Sequence, residues 1–154
     1  MDDQPKPTRH YFKTYMQMLY NSIGTNMFRN FYVSKPDRGE FDALNDGEDS
    51  CAFYVSSVLV LFRKIGSIHG TVTGLIADLE NSGWKKVHIP DPGDVLIWEP
   101  QEFNGMFQEH VGIALGNDTA VSNSYRAKSP IMHNINFSEQ NRKIVSVYRI
   151  DSWE

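Results

Sequence analysis

The chain has 154 residues, 40% of them hydrophobic, 12% aromatic and 22% charged. That length suits one domain with a substantial core, and that composition excludes a disordered or fibrous protein. Its 15 basic and 19 acidic residues leave a net charge of −4. The densest basic runs are only Arg63-Lys64 and Lys85-Lys86, and no stretch approaches the roughly 18 apolar residues of a membrane span. Neither nucleic acid nor a membrane is expected as a partner.

Residues 1–9 are polar and proline-bearing and read as a loose terminus. Tyr11, Tyr15, Met18, Leu19 and Ile23 recur at helical spacing, which predicts an amphipathic helix over 9–23 ending near Gly24. From Phe28 to Glu48 the pattern breaks up around Pro36, Gly39, Gly47 and a series of acidic residues, the mark of a loop. Ser50 to Ile65 is apolar on most sides and stopped by Gly66. It reads as a buried helix with Asp49 or Ser50 as N-cap, Cys51 in its first turn and basic residues in its last. Thr73 to Ser82 predicts a second short helix in this stretch. After Pro92-Gly93 the pattern becomes extended, with strands expected at Asp94–Glu99, His110–Leu115, Thr119–Ser124, Ile131–Phe137 and Ile144–Ile150. Helices first and an antiparallel meander of about five strands afterwards is an α+β arrangement, here expected to be a single domain over 1–154.

Cys51 is the only cysteine, which excludes an intrachain disulfide and a paired-cysteine zinc site. A thiol at a helix N-terminus faces orphan N–H groups and the positive end of the dipole, both of which favour the nucleophilic thiolate. Asp46, Glu48 and Asp49 oppose that effect. The competing reading is a small buried hydrophobe. Among five histidines, His110 opens an alternating strand, and a histidine on a sheet packed against the cysteine helix can serve as general base. His10, His69, His88 and His133 read as surface or loop residues, with His133 the nearest to the proposed site. Trp84 and Trp98 read as packing residues ahead of groove walls.

Three ordered strings, Asp49-Ser50-Cys51-Ala52-Phe53-Tyr54-Val55, Pro92-Gly93-Asp94-Val95-Leu96-Ile97-Trp98 and His110-Val111-Gly112-Ile113-Ala114-Leu115-Gly116-Asn117, resemble the signatures of the NlpC/P60 and CHAP cysteine peptidases. The resemblance covers roughly residues 45–150. It implies a papain-like fold, no cofactor, and a cysteine peptidase or amidase acting on bacterial cell-wall (peptidoglycan) peptides, as an endopeptidase or an N-acetylmuramoyl-L-alanine amidase. It places Cys51 as nucleophile and His110 as base. For the third polar residue an NlpC-like register gives Ser122 and a CHAP-like register gives Asn123, and only one of the two can face His110, because they lie on opposite faces of a strand. An amide oxygen is the better acceptor for an imidazole N–H, which favours Asn123. Cys51 is followed by Ala52-Phe53 where NlpC/P60 proteins usually have Ser-Gly, a departure toward the CHAP pattern.

Some CHAP domains bind calcium before the cysteine, and Asp42, Asp46 and Glu48 have a compatible spacing, but a solvated acidic loop is the reading preferred here and no metal is expected. The first twenty residues lack a continuous apolar segment. The chain is therefore expected in the cytoplasm as encoded, or at the cell wall or outside the cell if export or lysis carries it there. Two other functions fit the same residues: a catalytically weak or inactive peptide-binding or regulatory domain, and a cytoplasmic thioester or isopeptide hydrolase.

Overall fold

The computed structural model describes residues 4–103 and 105–154, so residues 1–3 of the expected loose terminus lie outside the described residues. Helix α1 (Tyr11–Asn21) buries Tyr15 and Leu19, one turn apart on its inner face. Helix α2 (Cys51–Leu61) is apolar all round and buries Ala52, Tyr54, Val55, Ser56, Val58 and Leu59. It ends four residues before the expected Ile65, because Arg63 adopts a left-handed φ of 56° and the Lys64 N–H turns back onto the Leu59 carbonyl at 3.0 Å. Helix α3 (Val72–Asn81) is capped by the Thr71 hydroxyl, which accepts from the Gly74 N–H at 3.1 Å. No helix among the described residues is long and apolar enough to cross a membrane.

The strands are β1 (Tyr32–Lys35), β2 (Gly39–Asp42), β3 (Lys85–Val87), β4 (Val95–Phe103), β5 (Met106–Gly116), β6 (Thr119–Ser124), β7 (Ser129–Asn134) and β8 (Ile144–Arg149). The α+β class expected from the sequence is what forms, with two differences. The segment read as a loop over 28–48 contains the β1–β2 hairpin, and the main sheet has six strands in the order β3-β8-β4-β5-β6-β7. Only β4 to β7 form a meander. Strand β8 crosses back to pair with β4 and also carries β3, and all of these pairings are antiparallel.

The sheet has a core on each face. One gathers α1, α2 and α3 with Val95, Ile97, Val111, Ile113, Val121 and Tyr148, and the other consists of Leu96, Trp98, Ala114, Ala120 and Val147, with Phe137 and Ile135 against it. Strand alternation thus sends Val111 and Val121 toward α2 and their neighbours the other way. Asp94, from the Pro-Gly-Asp string, is buried and takes a two-pronged hydrogen bond from Arg149, Nε to Oδ1 at 2.9 Å and Nη2 to Oδ2 at 2.7 Å. That pair locks the start of β4 to the end of β8.

Candidate active site

The loop leading to Cys51 is organised by Asp42. Its carboxylate accepts the backbone N–H groups of Phe31, Leu44 and Asp46 and the side-chain amide of Asn30, at 2.8–3.0 Å. Burial works to raise its pKa, and these donors overcome that and hold it at about 2. The Asp42 carboxylate is thereby committed to the protein's own donors. No group of three or more His, Cys, Asp or Glu side chains among the described residues is set to hold a metal ion. Asn45, Asp46 and Gly47 then take left-handed φ values of 48°, 53° and 94°, turning the chain into α2. Ser50 occupies the N-cap position as expected but makes no side-chain cap, and its buried Oγ has no partner.

The backbone N–H groups of Ala52, in the first turn of α2, and of Val111, from β5, both favour the ionised form of the Cys51 sulfur. Burial raises the thiol pKa above its ordinary value. The two N–H groups and the Arg142 guanidinium pull it back, and Asp49 adds to the rise. The net shift is upward, so the resting group is a thiol, opposite to the effect expected from helix position alone. Cys51 packs among protein atoms but still opens onto a cleft of about 580 Å³, within the size range of small-molecule and peptide sites.

His110 lines the same cleft, one residue before the Val111 N–H that favours the thiolate. Its ring lies 5.4 Å from Trp98 on the sheet face away from Val111. Burial, then the positive charge of Arg142 and the coupling to His133, lower its pKa to about 3, so at neutral pH it is an uncharged imidazole. His110 Nε2 is 2.9 Å from Ser122 Oγ, and the same Oγ is 2.7 Å from His133 Nε2. His133 Nδ1 in turn lies 2.7 Å from the Asn134 carbonyl, and its ring stacks on Phe137 at 4.0 Å. Neighbouring strands β5, β6 and β7 thus contribute one polar residue each to a connected line.

Asn123 does not join that line. It faces the other way on β6, as strand alternation requires, and its Nδ2 donates to the Gly47 carbonyl at 2.8 Å, with Oδ1 buried and unpartnered. The chemical preference for Asn123 as the acceptor for His110 is corrected by this geometry: Ser122 holds that position. The structure brings Cys51, His110, Ser122 and Asn123 to one cleft, and of the two candidates on β6 it is Ser122 that hydrogen-bonds to His110.

Two residues that sequence reasoning passed over stand at the site. His133 was on an expected strand beside it, but no spacing in the sequence ties β7 to β5. Arg142 follows a short 3₁₀ turn (Ser138–Gln140) and is 5% exposed, with Nε on the Glu99 carbonyl and Nη2 on the Gln108 carbonyl, both at 2.8 Å. Trp84 and Trp98 are buried, their indole N–H groups donating to the Lys64 and Ile135 carbonyls, so both pack and neither walls the cleft. Aromatic surface at the cleft comes instead from Phe103, Phe107 and Tyr125.

The architecture can be set beside solved structures. A Staphylococcus aureus protein described as similar to lipoprotein, NLP/P60 family, superposes with a TM-score of 0.53 over 97% of this chain at 15% identity. The fold is therefore that of an NLP/P60-family protein. This chain spans 45% of the length of that structure. No protein-family model matches the chain, and no curated protein sequence matches it significantly.

Proposed function

We propose that the protein is a cysteine hydrolase of the NlpC/P60 type that cleaves amide bonds in bacterial cell-wall peptides. The observation that carries this reading is one cleft holding a helix-terminal thiol, Cys51, and a neutral imidazole, His110, whose Nε2 is engaged by Ser122. A neutral imidazole can take the thiol proton as sulfur attacks a carbonyl carbon. The tetrahedral oxyanion then collapses, expelling the amine, which takes the proton from His110 and leaves a thioester on Cys51. Water attacks the thioester with His110 again as base, releasing the carboxylic acid and restoring the thiol. The first-turn N–H groups of α2 are suited to the oxyanion. The wall peptide as substrate rests on the likeness to the NLP/P60 fold and on the sequence resemblance.

Digestion of purified peptidoglycan by the wild type and by Cys51→Ala, with released fragments identified by mass, tests the proposal. Soluble fragments from the wild type that vanish in the variant are expected, and their masses name the bond. Absence of release across several wall types overturns the substrate assignment.

Burial of Cys51 favours a second reading, in which the thiol is inert and the cleft only binds peptide. Iodoacetamide titration separates them. Alkylation whose rate drops sharply in His110→Ala supports the hydrolase, whereas a rate that ignores His110 and rises only with bulk thiol ionisation supports the binding domain.

A further inference from the structure

The direction of each hydrogen bond in the line from β5 to β7 is fixed by what its ends can do. A backbone carbonyl only accepts, so His133 Nδ1, 2.7 Å from the Asn134 oxygen, carries a proton. Burial lowers the His133 pKa, outweighing the help of that carbonyl to the charged form, so the ring is neutral and its Nε2 is a bare acceptor. Among the described residues, the donor within reach of that nitrogen, at 2.7 Å, is the Ser122 hydroxyl. Ser122 has a single proton, and having given it to His133 it can offer His110 only a lone pair. His110 Nε2, 2.9 Å from that oxygen, must then be the protonated nitrogen, and a neutral His110 is left with Nδ1 bare.

A serine alone would not achieve this. Its hydroxyl both donates and accepts, and facing one imidazole it supports either tautomer of that ring. The second imidazole removes the ambiguity by claiming the hydroxyl proton. We propose that His133 is a positioning residue, which through the Ser122 hydroxyl holds His110 in the tautomer whose Nδ1 is free to accept the Cys51 proton. Packing supports the arrangement: the Phe137 ring stacks on His133, and Trp98 lies 5.4 and 5.6 Å from the His110 and His133 rings, confining both. The line ends in a backbone oxygen on its own strand, so its polarity does not depend on any mobile group.

The inference rests on His110 being the base for Cys51, but its test is chosen to read the tautomer directly. Nitrogen-15 NMR of the folded protein at neutral pH is expected to show His110 as the Nε2–H form alone. His133→Phe keeps the stacking on Phe137 but removes the acceptor, and His110 is expected to become a mixture of tautomers, with the rate of Cys51 alkylation by iodoacetamide falling about tenfold. His133→Gln, whose amide oxygen can accept from Ser122, is expected to restore the single tautomer. In Ser122→Ala the further change His133→Phe is expected to do nothing more, since the two act through one hydroxyl. A folded His133→Phe variant that keeps His110 wholly in the Nε2–H form overturns the proposal, as do additive effects of the Ser122 and His133 changes. If alkylation proves independent of His110, the hydrolase reading fails while the tautomer spectra still decide the role of His133.

Discussion

Arg142 shows how one side chain can serve the scaffold and the chemistry together. Its guanidinium ties the Glu99 carbonyl of β4 to the Gln108 carbonyl of β5 across the register shift between Trp98 and Gln101, and it is almost fully buried. A buried cation must be compensated, and here the compensation is two carbonyl dipoles and the negative charge of Glu99. The charge lowers the pKa of both Cys51 and His110, favouring the thiolate and disfavouring the imidazolium. Its removal is therefore expected to raise both. In Arg142→Met the pH midpoint of Cys51 alkylation should move up, and the His110 titration, followed by NMR, should move up from about 3. Arg142→Lys, which keeps the charge, should shift both far less. Unchanged midpoints in a folded Arg142→Met protein would mean that the guanidinium serves only to hold the strands.

Between strands, the contact that assembles the polar line depends on a missing side chain. A Cβ on Gly112 would stand 2.5 Å from the Val121 carbonyl oxygen, 2.8 Å from the Ser122 Cβ and 3.0 Å from Trp98. Two residues after His110, this glycine lets β6 and the Trp98 ring close on β5, which is what brings Ser122 within reach of His110. Gly112→Ala is expected to destabilise the fold by about 1–3 kcal/mol through overpacking and to break the His110–Ser122 hydrogen bond. Chemical denaturation and the His110 tautomer measure the two effects, and a variant with wild-type stability would refute the packing argument. The sequence made much of this level legible. The three helices could be read because Tyr15 and Leu19, the apolar run after Cys51, and the Thr73-to-Ser82 segment closed by Gly83 carry strong periodicity or clear stops. The β1–β2 hairpin and β3 could not, being three or four residues long and mostly exposed, with no apolar alternation to betray them. Nor could the crossing of β8 be foreseen, since its pattern names a buried face and not a neighbour. Cys51 stood out because it opens α2, and His110 because it directly precedes the apolar run Val111–Leu115, although β5 itself begins four residues earlier at Met106. His133 and Arg142 gain meaning only from pairing across β6–β7 and from the turn that follows, which no local pattern encodes.

For the molecule as a whole, the neutral histidine at the cleft, His110, sets the response to acid. The unfolded chain binds a proton on His110 near its ordinary pKa of 6.5, and the folded chain only near 3. Between those values the unfolded state holds more protons, so stability is fully present above about pH 6.5 and drains away as pH falls toward 3. His133, also lowered by burial, acts in the same direction. Asp42 and Asp78 extend the loss at still lower pH. Burial alone would raise each, but hydrogen bonds hold them at about 2 against an ordinary 3.8: backbone N–H groups on Asp42, and His69, Gly66, Ser82 and Ser67 on Asp78. Their contribution is present above pH 3.8 and lost as pH falls through 2. Histidine and carboxylate effects therefore have one sign, but the histidine effect begins at higher pH, which makes them distinguishable above about pH 5. The urea midpoint of the wild type is expected to fall steadily from pH 6.5 to 5, before the carboxylates begin to titrate, and that of His110→Gln to be much flatter over the same interval. Parallel slopes for the two proteins would place the acid sensitivity elsewhere and show that His110 is not held neutral by the fold.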